Sequence, residues 1–357
     1  MPANIFEKGS KARELLKDER FLYPEHVPER LPHRDAEIDA LVFALQPVLK
    51  GKRPENVFVH GKSGTGKTAT VRFVLNELQS YSDRAKGLYI NCFQFNTRHS
   101  VLTQIANFLG AATPRRGIAT DEAYSQMLSA LKAIDFVPVV VLDEADQLMH
   151  DQEASRLFYD LLRVVEQNRK GFGLIFISNV SEFVSMLDAR VKSSLAEHSI
   201  CFEPYSPAQL KDILRARAEY AFFPNALGPE AINVAAAHAA KFGGDARVAI
   251  ECLLKAAREA ERQNSPSVEV IHLQKVFPAI DAAALQKAIG FLSVHERAIL
   301  NAIPANGQIA SGELYSAYKK SVEGAVSQRY FRKLRLNLER MHLINCEQSA
   351  KGKMGRT

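Results

Sequence analysis

Cysteine is scarce in this chain of 357 residues: Cys92, Cys201, Cys252 and Cys346 stand far apart, with no Cys-x-x-Cys pair among them. That spacing argues against a disulfide framework or a zinc finger, and the ten histidines show no zinc spacing either. The four read as small buried apolar residues in a reducing compartment. No apolar run approaches the roughly 20 residues that a membrane span needs. The opening stretch MPANIFEK lacks the apolar core of a secretion signal. Internal repeats and low-complexity segments are also missing. These absences leave the expectation of a soluble cytoplasmic protein with no membrane partner. Its length suggests two or three domains, at roughly 100 to 200 residues each. Its 46 % apolar and 24 % charged residues are ordinary for a globular chain.

The net charge is +6, and its placement is more telling than its size. Residues 288 to 357 hold 11 Lys/Arg against 5 Asp/Glu, whereas the remainder holds 35 of each and balances to zero. The positive excess therefore collects in the last fifth of the chain, where a polyanion would bind.

Residues 1 to about 50 read as mostly helical and charged, interrupted by three prolines (Pro24, Pro28 and Pro32) in nine residues. Such a run is stiff and extended, and it leads into a helix from about His33 to Leu49. Short apolar strands then alternate with helices. Strands are predicted at Val57–His60, Leu88–Asn91, Val137–Leu142, Leu174–Ser178 and Ser199–Phe202. Helices are predicted at Lys67–Tyr81, His99–Leu109, Asp121–Ile134, Glu153–Asn168 and, briefly, Ser181–Leu187. This alternation predicts a parallel sheet covered on both faces. Beyond Pro207 the strands stop, and four helices are predicted: Ala208–Tyr220, Pro229–Ala240, Asp245–Arg262 and Val268–Ala279. From Leu285, short helices lead to a basic helix at Val326–Met341 and a strand at Leu343–Cys346. The implied domains are 1–204, 205–284 and 285–357.

Gly61-x-x-x-x-Gly66-Lys67-Thr68 lies between a predicted strand and a predicted helix, the context a phosphate-binding loop requires. Its glycines, with Gly64 and Thr65 between them, let the backbone wrap phosphates with N–H groups inward. Lys67 would reach the β- and γ-phosphates, and Thr68 would offer a hydroxyl to Mg²⁺. Asp143 ends a buried apolar strand and would hold Mg²⁺ through water. Glu144 beside it would polarise an attacking water. Asn179 follows the strand expected beside the phosphate-loop strand and would orient water there; capping the next helix is its other reading. ATP, ADP and Mg²⁺ are the implied ligands.

Together these motifs resemble the AAA+ ATPases, and within them the archaeal origin-recognition/cell-division-control initiators. The stretch from Tyr23 to Arg34 resembles the family's adenine-wrapping segment, Asp188 to Leu195 its arginine-finger motif, and Gly243 to Ile250 its second-sensor helix. The resemblance implies that Val27, Pro28 and Arg30 line the adenine and that Arg247 touches the phosphates of its own nucleotide. Tyr205 and Arg217 would contact nucleotide at the base of a helical lid. Arg190 would act as an arginine finger on a neighbouring copy's nucleotide, since a guanidinium keeps its charge and grips phosphate as a fork. The implied fold is α/β: a P-loop AAA+ parallel sheet with a helical lid, followed by a winged helix-turn-helix.

In that last domain Ser311–Lys320 would be the first helix of the pair, with Ser327, Gln328 and Arg329 opening the recognition helix toward base edges. Arg332, Lys333, Arg335 and Arg340 continue its charge, and Phe331, Leu334 and Leu338 form its buried stripe. Lys351, Lys353 and Arg356 resemble the start of the wing, which the chain's end would leave clipped. A second DNA element, residues 94 to 109, resembles the family's extra helix, with Arg98 and His99 near its tip; its modest charge leaves an ordinary packing helix as the other reading. The family's partners are duplex origin DNA, a replicative helicase and further initiator copies on nucleoid DNA, with slow hydrolysis acting as a switch. A ring-forming protein remodeller would need an exposed aromatic pore loop, which the Arg98-His99 stretch does not offer. A DNA-binding regulator using ATP only as a structural ligand stays open, although an intact Glu144 argues against it.

Overall fold

The computed structural model describes residues 13–167, 171–189, 191–192, 198–290, 292–304, 307–340 and 343–346. The chain forms two compact units, Met1–Val270 and Ile271–Thr357.

The first unit is built on five parallel strands: β1 (Val57–Gly61), β2 (Ala85–Asn91), β3 (Val137–Asp143), β4 (Gly173–Ser178) and β5 (Ser199–Phe202). Their order across the sheet is β2-β3-β4-β1-β5. Helices α1 (Asp35–Leu45), α2 (Lys67–Tyr81), α3 (Arg98–Phe108), α4 (Thr120–Ala133), α5 (Ala154–Gln167) and α6 (Phe183–Met186) cover it. The side-chain alternation of a strand explains the two core layers. Val139 and Val141 of β3 pack with Val71 and Leu75 of α2 and Leu41 of α1. Val140 and Leu142 point the other way, into a larger cluster with Ile105 of α3, Met127 of α4 and Phe158 of α5. Both faces being covered, β3 is buried along nearly its whole length. Parallel register brings Asn91 opposite Asp143 and His60 opposite Ser178, so β1 to β4 end at one edge of the sheet. In such sheets ligands bind outside the carboxyl ends of the strands.

Three helices complete this unit: α7 (Pro207–Ala221), α8 (Ala231–Lys241) and α9 (Ala246–Arg262). Ser206 starts α7 with a reciprocal capping box to Gln209, and Pro207 occupies the first turn, where its missing N–H costs nothing. Buried alanines, including Ala235, Ala239, Ala249, Ala256 and Ala260, let these helices approach closely.

Residues 13 to 22 depart from the expected helix. They hold only a 3₁₀ turn, Glu19–Leu22. Their backbone donors are committed elsewhere: Leu15 N and Leu16 N donate to the Glu261 carboxylate of α9, and Lys17 N and Asp18 N to the Ala221 carbonyl ending α7. With Leu15 and Leu22 buried, this segment is laced onto the three-helix lid. The helix expected to end at Leu49 ends at Leu45 and continues as a 3₁₀ turn to Lys50 because Pro47 removes a donor.

In the second unit α10 (Val270–Gly290) runs well past the expected end at Ala279, through Pro278, which forfeits one hydrogen bond without stopping the helix. Three short helices follow: α11 (Val294–Asn301), α12 (Ser311–Ser321) and α13 (Gln328–Arg340). They share a core of Ile299, Leu314, Tyr318, Phe331, Leu334 and Leu338, the last three being the predicted stripe of α13. The strand expected at Leu343–Cys346 is not formed: a strand needs a ladder partner, and no described strand pairs with these residues. Among the described residues, no helix is long and apolar enough to cross a membrane.

Candidate nucleotide site and nucleic-acid surface

A cavity of about 750 Å³ opens at the carboxyl edge of the sheet, between the phosphate loop, the lid and the segment Phe21–Pro32. One wall is the turn from β1 into α2. Gly64 and Gly66 hold φ of 76° and 91°, which disfavour any residue with a side chain. Space excludes one too: a Cβ at Gly64 would sit 1.9 Å from the Asp245 carboxylate, and one at Gly66 would sit 2.6 Å from the Tyr205 hydroxyl. No side chain caps α2, so its first-turn N–H groups and the positive end of its dipole are left for an anion.

Lys67 is 6 % exposed, and its ammonium donates to Gly61 O at 2.8 Å, Lys62 O at 2.7 Å and Asn179 Oδ1 at 2.9 Å. Burial pushes its pKa down to about 8. Asp143 is buried and accepts from Thr68 Oγ1 at 2.6 Å, Tyr89 Oη at 2.6 Å and the Glu144 amide at 2.8 Å. Burial, then the neighbouring Asp143 carboxylate, raise the Tyr89 phenol, and the Arg72 guanidinium lies 3.9 Å from its ring centre. Glu144 lines the same cavity with φ of 55°, a left-handed conformation that a non-glycine residue keeps only where its surroundings impose it.

From the lid, Asp245 caps α9 and holds Arg247 through Nη2 at 2.8 Å, while Arg247 also donates to Ser63 of the phosphate loop. The Ala246 amide donates to Gly64 O at 3.1 Å, so the start of α9 sits directly on the loop. On the far side, Phe21, Pro24, Val27, Pro28, Ile213 and Tyr220 give the cavity an apolar end, with Phe21 stacked on Tyr220 at 5.1 Å. A planar base suits that end and phosphates suit the loop. A buried ammonium held by neutral oxygens and an uncapped helix fit a nucleoside triphosphate. The hard oxygen donors Thr68 and Asp143 fit Mg²⁺.

Val27, Pro28, Arg30, Gly64, Gly66, Lys67, Thr68, Asp143, Glu144, Asn179, Tyr205, Arg217 and Arg247 all line this one cavity. Gly61 and Thr65 do not. Gly61 offers its carbonyl to Lys67, and Thr65 folds its hydroxyl back onto Lys62 O at 2.9 Å, so both shape the loop from behind. Arg217 faces the cavity but grips the strap: it donates to Phe21 O at 2.9 Å and His26 O at 3.0 Å, and burial lowers its pKa to about 10. The Tyr205 hydroxyl is taken by Arg34. Arg190 lies outside the described residues.

Arg34 was not singled out by the sequence. It is 4 % exposed, stacks 4.0 Å from the Tyr205 ring centre and donates to Thr65 O, Glu203 O and Glu37. It thereby ties the phosphate loop to the end of β5. Tyr89 was missed as well. Both lie at the ends of elements already identified, but nothing in residue type alone tells a buried cation from a surface one.

The expected DNA contact through Arg98 is corrected. Arg98 is 1 % exposed and donates to Asp160 at 2.9 Å and Asp121 at 3.1 Å, so it cross-links α3, α4 and α5 with no face toward solvent. Its backbone amide is held by Asp151 at 2.7 Å, and half-buried His99 follows it. Beyond this element, Arg115 and Arg116 are exposed on the α3–α4 loop. That loop is clamped by paired hydrogen bonds between Asn107 and Thr113, at 2.8 and 3.0 Å. In the second unit Ser327, Gln328, Arg329, Arg332 and Lys333 are all exposed at the start of α13. Arg335 is half-buried and donates to Ser311 at 3.0 Å, so it braces α12 instead. Lys351, Lys353 and Arg356 lie outside the described residues.

Residues 51–187 match the family model described as an AAA domain, and residues 211–277 the one described as a Cdc6 AAA+ ATPase-type lid domain. The chain is 37 % identical to the ORC1-type DNA replication protein of Thermococcus kodakarensis, across 99 % of this chain and 90 % of that one. It is 32 % identical to ORC1-type DNA replication protein 1 of Methanosarcina acetivorans, across 99 % and 89 % respectively. Among solved structures, the Aeropyrum pernix Orc1 protein in complex with DNA matches with a TM-score of 0.73 at 31 % identity, covering 96 % of this chain and 92 % of that one.

Proposed function

The chain belongs to the ORC1-type DNA replication proteins, and from that premise we propose that it is a nucleotide-switched initiator that binds origin duplex DNA and helps to recruit the replicative helicase. The domains of this reading are an ATPase base at 1–204, a lid at 205–284 and a winged helix-turn-helix at 285–357. The observation that carries it is the single cavity into which phosphate loop, Asp143-Glu144, strap and lid all converge.

In this reading Lys67 and the first-turn amides of α2 hold the phosphates, Thr68 and Asp143 hold Mg²⁺, and the strap around Val27, Pro28 and Arg30 encloses the base. Mg²⁺, when bound, supplies charge neutralisation at the phosphates. Glu144 accepts the proton of an attacking water that Asn179 orients. Arg247 reaches phosphate only by loosening its hold on Asp245, which makes the lid responsive to the nucleotide. Arg190 completes the site of a neighbouring copy, and a lone chain hydrolyses ATP slowly for want of it.

Duplex DNA meets the exposed start of α13 and, on this structure, Arg115 and Arg116 in place of Arg98. The DNA-bound A. pernix Orc1 protein supports that partner. Binding measured across a salt series, wild type beside Arg329→Ala, tests the reading. The expected slope of log K against log salt is about −0.9 per phosphate contacted. Sequence-preferring binding that weakens in the variant upholds the initiator reading. No binding at low salt, or a variant equal to wild type, removes the assignment of α13. Turnover in Glu144→Gln discriminates the structural-ligand alternative: it should fall by at least ~100-fold with nucleotide still bound, and unchanged turnover would favour a regulator that holds ATP without using it.

A further inference from the structure

The second unit contains a polar device that this reading does not yet use. Tyr315 and Tyr318 lie three residues apart on α12 and pack their rings on Phe331 of α13, with centroids 4.9 and 5.2 Å away. Phe331 and Tyr318 are fully buried. Rings alone would seat α13, yet both hydroxyls go on to one further residue from its two sides. Tyr315 Oη donates to Val326 O at 3.1 Å, and Val326 N donates to Tyr318 Oη at 3.1 Å. Val326 lies in the turn between α12 and α13, two residues before Gln328 begins the helix. Tyr318 Oη also lies 2.8 Å from Nδ1 of His295 on α11. The Val326 amide can only donate, so the Tyr318 oxygen accepts there, while the direction of its bond to His295 follows the imidazole tautomer.

The rest of α13 is pinned separately, by Arg335 donating to Ser311 of α12 at 3.0 Å and Asn337 donating to Glu296 of α11 at 2.7 Å. The two tyrosines therefore add something specific to the entrance. Val326 sits in a loop with neither ladder nor helix to use its backbone groups, and here each group is bonded to a tyrosine of α12. Directional hydrogen bonds fix the turn's orientation in a way that apolar packing does not. Ser327, Gln328 and Arg329 follow Val326 immediately, so their aim is set by that orientation.

We propose that Tyr315 and Tyr318, backed by His295, are positioning residues for DNA recognition, holding both backbone groups of Val326 so that the start of α13 presents its side chains at one fixed angle. The proposal rests on the reading of α13 as the recognition helix. It calls for preorganisation: without the clamp the helix still folds and still carries its charge, but it reads sequence less well.

The test uses the full chain as wild type, Tyr315→Phe, Tyr318→Phe and Arg329→Ala. Two quantities are measured: hydrogen exchange at the Val326 amide, and the affinity ratio between a duplex enriched from a random pool by the wild type and an unselected duplex of equal length. Tyr318→Phe should speed Val326 exchange about tenfold and leave the melting temperature within roughly 3 °C. It should lower the affinity ratio about fivefold with binding to the unselected duplex unchanged. Tyr315→Phe, at a half-buried position, should lower the ratio similarly if Tyr318→Phe folds poorly. Unaltered Val326 exchange in Tyr318→Phe overturns the clamp. Faster exchange with an unchanged ratio, while Arg329→Ala lowers that ratio, overturns its role in recognition and leaves α13 as the reader. An Arg329→Ala ratio equal to wild type sinks the recognition-helix reading itself, and the proposal falls with it.

Discussion

Lys67 is held by two carbonyls and an amide oxygen, none of them a carboxylate, and burial lowers its pKa to about 8. Its ammonium is costly in the empty site and stabilised when a phosphate arrives. The sign follows from linkage: with a free-protein pKa near 8, binding that requires the ammonium must take up a proton above that pH. ATP affinity should be flat up to about pH 7.5 and then fall by up to ~tenfold per pH unit. Titration calorimetry in buffers of different ionisation heat checks this, and a pH-independent Kd from 7 to 9 would refute it. In the nucleotide-free chain the same group makes stability rise between its folded pKa of about 8 and the ordinary lysine value, where the unfolded chain binds the extra proton. Arg98 illustrates the opposite environment, fully buried among Asp121, Asp160 and Glu153. Arg98→Ala should cost about 1 to 3 kcal/mol of stability, chiefly by leaving Asp160, the one largely buried carboxylate of the three, without its partner. At a temperature where the variant remains folded, duplex affinity should match wild type. Lys67, Thr68, Asp143 and Glu144 were legible from the sequence because a fixed spacing specifies their role. Arg98 and Arg34 were not, since their roles come from carboxylates and carbonyls 20 to 170 residues away in sequence.

At the scale of elements, the strands and most helices were legible because their periodicity matches two covered faces. What the pattern missed is chain that trades its backbone bonds across elements. Residues 13–22 read as helix, yet their donors serve Glu261 and Ala221, and this long-range pairing leaves no local signature. The consequence concerns the nucleotide. The segment that walls the base is laced to α7 and α9, and Arg217 grips its carbonyls at Phe21 and His26. Strap and lid are therefore tied to each other around the cavity. Arg217→Met keeps the apolar stem and removes both bonds, so the strap should loosen and ATP should bind about tenfold more weakly. A fluorescent ATP analogue reads that loss directly. Equal affinity in the variant would mean that the strap is held by its apolar contacts alone.

Across the whole molecule the charge divides unevenly. Residues 1–287 balance to zero, and the excess of +6 lies beyond them. Net charge alone would assign all DNA binding to the second unit. The structure adds the loop carrying Arg115 and Arg116, exposed on a clamped turn of a unit with no positive excess. Local geometry and net charge thus give different answers, and salt dependence separates them. Should both units engage duplex, Arg115→Ala with Arg116→Ala should make the slope of log K against log salt shallower by up to about 1.8, at about 0.9 per phosphate lost. The sequence preference should be largely kept, because phosphate contacts position a protein without reading bases. Arg329→Ala should do the reverse, relaxing preference with at most one phosphate's change in slope. An unchanged slope in the Arg115→Ala, Arg116→Ala chain would confine duplex contact to the second unit, where the charge excess alone would put it.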